Sequence, residues 1–380
     1  MKCGYTPKWV HPKKMITHFS EVFKDVDVKK TSLRNLLFVI LAVAVAKTFR
    51  INAIAARLPI VVKKEKSKQK RLLRFLETPL PLDALMEAWC LFVCRWVWKP
   101  RTQHYFYVLI DETDLPNGWK ALVASIPFRN RAIPIFWCVY EDEEIRNMTY
   151  KSHNTLIQNF CLKVNELTLS VLGNKKQKPL FVFDRGFARA QYVIDFLKKN
   201  DIAFVMRICR NVGISHQGST KKLDDMDSGG YSNVLYHQRH QIPLNLYIYR
   251  DTETFKEPMY LISNVYQDAE IHHCYKRRMQ IEHGFRDIKT RFGFRHIVLK
   301  KPEKARIQLL WFIASLTYGL TFLCYEKAIQ PVAEHRNTQR KLHAVITLIK
   351  DVLMDTWTSQ ALLTSLEVCR CRGDTCLATY

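Results

Sequence analysis

The sequence predicts an α/β protein, in which a mixed sheet flanked by helices is preceded by an all-helical region. Three observations carry this. Between Thr31 and Trp98 the apolar residues recur at helical spacing. From Tyr105 to Ile208 short apolar runs of strand length alternate with helical stretches. Between Asn211 and Val265 the helical period disappears and alternating segments take over, until helices return near His272.

In the N-terminal region, Thr31 or Ser32 is placed to cap a helix from Leu33 to Lys47. A short amphipathic stretch from Ile51 to Leu58 ends at Pro59, and Lys66 to Leu76 follows. Lys63, Lys64, Lys66, Lys68, Lys70, Arg71 and Arg74 stud the third helix and its approach. Three short helices so charged resemble a small DNA-binding unit of the helix-turn-helix kind; a solvated basic face on a structural bundle is the alternative. The apolar run Leu36 to Ala46 falls short of the ~20 residues that cross a bilayer and reads as a buried helix. A Trp- and Cys-rich helix, Asp83 to Trp98, leads to a boundary at Pro100.

Charge narrows the partner class. Lys and Arg number 59 against 35 Asp and Glu, a net charge of +24, and residues 1–100 hold 20 of the cations against 7 acids. So large a positive field favours a polyanion, nucleic acid before membrane. With 48% apolar residues the 380-residue chain is long enough for a real core, so a disordered chain is excluded. Met1 to Thr17 carries charges and prolines where a signal peptide needs an apolar stretch, and eleven scattered cysteines suit reduced thiols, so a cytoplasmic protein is expected. The Cys90/Cys94 and Cys369/Cys371/Cys376 groups lack zinc-knuckle spacing, and no P-loop pattern implies a nucleotide cofactor.

In the central region, Tyr105 to Ile110, Ala121 to Phe128 and Ala132 to Tyr140 read as three consecutive strands, the first two joined by the turn-like Leu115-Pro116-Asn117-Gly118. A helix from Asn154 to Leu172, a strand from Pro179 to Phe183, a helix from Ala188 to Lys199 and a strand from Ala203 to Ile208 follow. Three antiparallel strands with parallel additions, in the order βββαβαβ, are the order of the ribonuclease H-like fold. The expected organisation is a helical DNA-binding region at 1–100, a catalytic core at 101–210 and 266–330, a β-rich insertion at 211–265 and a helical C-terminal region at 331–380.

The most specific signal is Tyr275-x2-Arg278-x3-Glu282-x6-Lys289. At ~100° per residue on one helix from about 272 to 290, all four fall within about 60° of one another. Ile281, Phe285, Ile288 and Phe292 form an adjacent apolar stripe, so the polar stripe is expected to look out while its neighbour packs inward. Asp111 directly follows the strand Tyr105 to Ile110, and Asp184 ends the strand before Arg185-Gly186. A strand-end aspartate by itself is commonly a turn residue. Two on one sheet plus a helical glutamate make an oxygen-rich, negative cluster suited to two hard divalent cations, which activate an attacking oxygen and stabilise the leaving oxygen of a phosphodiester. Nearby cations would offset the repulsion between those acids and DNA.

With "LIDETD" around Asp111, "VFDRGF" around Asp184 and the helix "YKRRMQIEHGFRDIK", residues 100–330 resemble the DDE transposases of bacterial insertion sequences, specifically insertion-sequence family four, whose signature is this Tyr, Arg, Glu, Lys spacing. The resemblance implies a ribonuclease H-like core interrupted by a β-strand insertion, with Asp111, Asp184 and Glu282 as catalytic ligands of Mg²⁺, for which Mn²⁺ substitutes, and Asp114 as the fallback for the first aspartate. It implies that Tyr275, Arg278 and Lys289 hold the DNA backbone; Arg286, Lys63, Lys64, Lys70, Arg71 and Arg74 are added as DNA-binding candidates on charge.

The implied function is transposition. A homodimer on two paired ends binds the terminal inverted repeats, hydrolyses the strand and joins the freed 3′-hydroxyl to target DNA, in the bacterial cytoplasm at the nucleoid. A nuclease that does not join strands, and a catalytically silent DNA-binding regulator of transposition, are the alternatives. Relatives that cut through a DNA hairpin use an aromatic residue of the insertion, commonly tryptophan, to hold a flipped base, and no tryptophan stands between Asp184 and Glu282. Phe204, Tyr231, Tyr236, Tyr247 and Tyr249 are the aromatic residues weighed for that task, with core packing the simpler reading of each.

Overall fold

A computed structural model describes residues 19–60, 64–98, 105–128, 130–146, 152–173, 177–251, 257–297, 299 and 303–328. Lys63 and the expected region 331–380, with Cys369, Cys371 and Cys376, lie outside these residues. The principal helices of the first hundred residues are α1 (Lys30–Ala46), α2 (Ile51–Arg57), α3 (Glu65–Leu76) and α4 (Leu82–Val97). There follow β1 (Tyr105–Asp114), β2 (Lys120–Phe128), β3 (Arg131–Tyr140), α5 (His153–Leu172), β4 (Lys178–Phe183), α6 (Asp195–Lys199) and β5 (Ala203–Ile208). Next come β6 (Gly213–His216), β7 (Ser219–Lys222), β8 (Gly229–Tyr236), β9 (Ile242–Tyr249) and β10 (Met259–Ser263). Helices α7 (Glu270–Lys276), α8 (Met279–Arg286) and α9 (Lys304–Ala328) complete the order.

Two compact units emerge: one runs from Cys90 to Phe285, and the other combines the residues up to Trp89 with those from Arg286 onward. In the second of these, α1 packs on α2, α3 and α9. Its residues from Leu36 to Val45 are all buried, which accounts for the apolar run. The Thr317 hydroxyl of α9 donates to the Ile40 carbonyl of α1 at 3.5 Å. α1 begins at Lys30 with no capping side chain, so Thr31 and Ser32 lie inside its first turn rather than at its cap. Among the described residues no single helix is long and apolar enough to cross a membrane.

The unit from Cys90 to Phe285 is built on one mixed sheet in the order β3-β2-β1-β4-β5-β10-β9-β8-β6-β7. β1 and β2, and β2 and β3, pair antiparallel. β4 joins β1 in parallel and β5 joins β4 in parallel. The first five strands therefore have the connectivity expected from the sequence, a mixed sheet flanked by helices and compatible with a ribonuclease H-like fold. The β1–β2 turn needs left-handed backbone at two successive residues, and Asn117 (φ 62°) and Gly118 (φ 82°) provide it. Ser152 caps α5, its Oγ accepting from the Thr155 N–H at 3.2 Å.

The strands from 211 onward continue the same sheet. β10 pairs antiparallel with β5, β9 with β10, β8 with β9, β6 with β8, and β7 with β6. Phe106 to Ile110 of β1 and Pro179 to Phe183 of β4 are buried without alternation. Central strands covered on both faces read as such continuous runs. α5 packs on β3 and β4, and α7 packs across β4, β5, β9 and β10.

Candidate active site

The parallel pairing of β1 with β4 fixes the two aspartates. Ile110 is the partner of Phe183, so Asp111 and Asp184 stand side by side just past the β1–β4 ladder. Asp184 follows the last residue of β4, whereas Asp111, expected to close its strand, lies inside β1, which continues to Asp114 paired with β2. Asp111 Oδ1 accepts from the Glu112 N–H at 2.9 Å. Asp184 leads into a 3₁₀ turn, Arg185–Phe187, with the Phe187 N–H on its carbonyl at 3.1 Å. Asp114 is exposed at the far end of β1, paired in register with Lys120.

The glutamate arrives from α8. The expected single helix is instead interrupted between α7 and α8 at Arg277 and Arg278. The N–H groups of Arg277, Arg278, Gln280 and Ile281 bond three residues back, to the carbonyls of Cys274, Tyr275, Arg277 and Arg278. In such a 3₁₀ turn side chains three apart eclipse each other, which brings Tyr275 and Arg278 together. The Arg278 guanidinium carbon lies 5.7 Å from the Tyr275 ring centre. Ile281 and Phe285 are buried as the apolar stripe requires. The polar stripe, expected to look out, is turned inward at its first two members: Tyr275 is 6% and Arg278 7% exposed. Asp184 partners the Tyr275 hydroxyl, and Asp111 and Glu282 partner the Arg278 Nη groups, while Arg278 Nε stays buried without a hydrogen bond.

One guanidinium meets all three acids. Arg278 Nη2 lies 2.6 Å from Glu282 Oε1, Nη1 lies 3.4 Å from Asp111 Oδ2, and Nε lies 3.8 Å from Asp184 Oδ1. The Tyr275 hydroxyl donates to Asp184 Oδ1 at 3.1 Å. Burial raises the Asp111 carboxyl from its ordinary 3.8 to about 7, although Arg278 and the Glu112 N–H pull it down and the neighbouring carboxylates add to the rise. Burial also pushes the Tyr275 phenol up to about 12. Arg278 is held above its ordinary range: burial opposes its charge, and Tyr275 and the three carboxylates outweigh that.

Chemically, the donor set is three carboxylates already gathered on one cation, oxygen-rich and negative in the way hard divalent ions require. The acids therefore fit such ions in type and charge. Among the described residues, however, no three ligand side chains surround one point closely enough to hold a metal ion.

Further candidates fall on both units. Arg286 is exposed on α8, and Lys289 is half-buried in the π turn Asp287–Arg291. Lys64, Lys70 and Arg74 are exposed on and just before α3. Arg71 instead donates to Asn35 Oδ1 of α1 at 2.8 Å, a contact that ties α3 to α1. Phe204 and Tyr236 are fully buried core residues, whereas Tyr231, Tyr247 and Tyr249 are half-buried. Tyr249 stacks on buried His272, ring centres 3.8 Å apart.

Sequence reasoning missed a second polar cluster beside Asp111. Glu112 Oε1 accepts from the Tyr140 hydroxyl at 2.5 Å and faces His153 Nε2 at 2.5 Å. Arg189 Nη2 meets His153 Nδ1 at 2.9 Å, and its Nη1 donates to Asn154 Oδ1 at 2.7 Å. Arginine only donates, so Nδ1 accepts and Nε2 carries the hydrogen that points at Glu112. The network ties the end of β1 to the segment that follows Asp184. Only its glutamate stood inside a quoted motif, and nothing in local periodicity links 112, 140, 153 and 189.

Residues 163–318 match the family model described as the transposase DDE domain. The matched stretch contains Asp184, Tyr275, Arg278, Glu282 and Lys289, and Asp111 precedes it. The match supports a transposase of the DDE type. No curated protein matches the chain.

Proposed function

We propose that the chain is a DDE transposase of an insertion sequence, in the Tyr-Arg-Glu-Lys subgroup of family four, that binds terminal inverted repeats, cleaves the DNA strand and transfers it to target DNA. The observation that carries this is the convergence of Asp111, Asp184 and Glu282, from two neighbouring strands and one helix, on the single guanidinium of Arg278. The transposase DDE domain match over 163–318 supports it independently.

Asp111, Asp184 and Glu282 would hold Mg²⁺ or Mn²⁺, and the bound ions would supply an activated oxygen nucleophile and stabilise the leaving oxygen. The chain's own residues prepare that place. The Ile110–Phe183 pairing aligns the aspartates. Tyr275 orients Asp184 through its hydroxyl. Arg278 offsets the mutual repulsion of the acids. Exposed Lys64, Lys70 and Arg74 give the N-terminal helices a basic face for the duplex ends. A dimer on paired ends is part of the same proposal.

The test is cleavage of a duplex bearing the element's end, with Mg²⁺, by the wild type and by Glu282→Gln, followed by addition of target DNA. Cleavage and joining by the wild type, with neither in Glu282→Gln, is expected. Equal cutting by the variant overturns the catalytic assignment. Cutting without joining makes the protein a nuclease, and binding without cutting makes it a regulator.

A further inference from the structure

Two features of Arg278 go beyond a residue waiting for a DNA phosphate. Its side chain is nine-tenths buried, and its three nitrogens face carboxylates: Nη2 and Nη1 lie at 2.6 and 3.4 Å, while Nε, buried and without a hydrogen-bond partner, stands 3.8 Å from Asp184. Nη2 also lies 3.6 Å from the Met279 sulfur, so the group is enclosed on a further side. Among the described residues, the ion pairs to Asp111, Asp184 and Glu282 come from this one side chain.

We propose that Arg278 is the built-in counter-cation of the site: in the metal-free protein its guanidinium holds the three acids together, and a divalent ion competes with it for the same oxygens. The inference rests on the reading above that these acids are metal ligands, and it concerns what occupies their centre before metal arrives. A small divalent ion binds carboxylate oxygen at about 2.0–2.1 Å. The oxygens that now face Arg278 at 2.6 to 3.8 Å would have to close on the ion, in space the guanidinium fills. An ion that takes the three oxygens facing Arg278, rather than the second oxygen of each carboxylate, displaces the guanidinium from the point between them.

This arrangement has a use. Three carboxylates brought together with no cation repel one another; the strand ladder holds Asp111 and Asp184 in place, so the repulsion falls on their side chains and on the helix that carries Glu282. A guanidinium in their midst keeps them converged at a cost that metal binding must repay. Once displaced, its fork of N–H donors is of the shape that takes a phosphate in two hydrogen bonds, so loading with metal would expose a phosphate clamp. Arg278 is therefore a positioning residue in the metal-free protein.

The experiment measures Mn²⁺ binding to the full-length protein without DNA, reading free Mn²⁺ by electron paramagnetic resonance, for wild type, Arg278→Ala, Arg278→Lys and Asp184→Asn. Losing charge-assisted hydrogen bonds to the acids should tighten Mn²⁺ binding about ten-fold in Arg278→Ala. Arg278→Lys, with one charge and no fork, should fall between. Thermal melts supply a second readout: metal-free Arg278→Ala should melt below wild type and gain more from Mn²⁺ than wild type does. Unchanged or weaker Mn²⁺ binding in Arg278→Ala, or for a variant that does not fold without metal, no greater rescue by Mn²⁺, overturns the competition. If wild type binds no Mn²⁺, or Asp184→Asn binds it as wild type does, the metal-ligand reading itself falls and the competition falls with it.

Discussion

Asp111 and Asp184 are set beside each other by the parallel register that pairs Ile110 with Phe183 one residue earlier. Two acids so fixed owe their proximity to backbone hydrogen bonds, and a side-chain change leaves that frame standing. Asp111→Asn and Asp184→Asn should each lower strand cleavage roughly 10³-fold or more, as expected from losing several kcal/mol of charge stabilisation. Circular dichroism of both variants should match wild type. Cleavage within ten-fold of wild type in either would remove that aspartate from the site.

Adjacent acids of β1 titrate in opposite directions. Burial raises Asp111 to about 7. Glu112 feels burial too, but its hydrogen bonds from His153 and Tyr140 hold it below its ordinary range. A raised carboxyl contributes stability that is complete below the unfolded value, near pH 4, and is lost as pH rises through about 7. A lowered one contributes stability present above its ordinary 4.5 and lost as pH falls below it. The metal-free melting temperature of Asp111→Asn relative to wild type should therefore climb between pH 5 and pH 8, while Glu112→Gln should lose most of its deficit toward pH 3. A pH-independent difference for Asp111→Asn would show that its carboxyl is not shifted.

Removing the Tyr275 hydroxyl isolates one contact. Tyr275→Phe keeps the ring beside Arg278 and deletes the 3.1 Å bond to Asp184. A loss of about 0.5–1.5 kcal/mol in urea unfolding is expected, with the slope of the transition unchanged. A loss above about 3 kcal/mol would mean that the ring itself had moved.

The basic face of α3 makes a prediction about salt. Replacing Lys64, Lys70 and Arg74 by alanine should weaken binding to any duplex and flatten the dependence of log affinity on log salt by up to about 0.9 per lost phosphate contact. Arg71→Ala, which breaks the 2.8 Å bond to Asn35, should instead lower the melting temperature. Equal salt slopes for wild type and the triple variant would assign that face to solvent.

Much of this was legible in the sequence, for identifiable reasons. Strand runs such as Tyr105 to Ile110 and Leu180 to Phe183 are short and apolar, so their type was visible. Asp184 does follow the end of its strand, but β1 runs on through Asp111 to Asp114 because its pairing with β2 continues past the apolar run. The shared face of Tyr275, Arg278 and Glu282 followed from helical spacing alone. Its inward turn did not, because a charged stripe reads as solvated until the acids it meets, 91 to 167 residues away, are known. The break at Arg277 and Arg278 was hidden for the same reason: residues of ordinary helix propensity are tightened there by tertiary contacts. Alternation revealed strands between 211 and 265, but pairing of β10 with β5 joins Ser263 to Val205, a long-range choice that period cannot encode.

That last pairing makes the strands from 211 onward structural neighbours of the acid cluster. β5, the strand next to Asp184-bearing β4, has β10 as its other hydrogen-bonded edge, and β10 in turn carries β9, β8, β6 and β7. Excising the stretch would not simply shorten a loop. It would leave β5 as an open margin one strand from Asp184, with unpaired N–H and C=O groups inviting another chain. These later strands are thus the weatherproofing of β5, and a minimal version of this protein would have to supply another border strand.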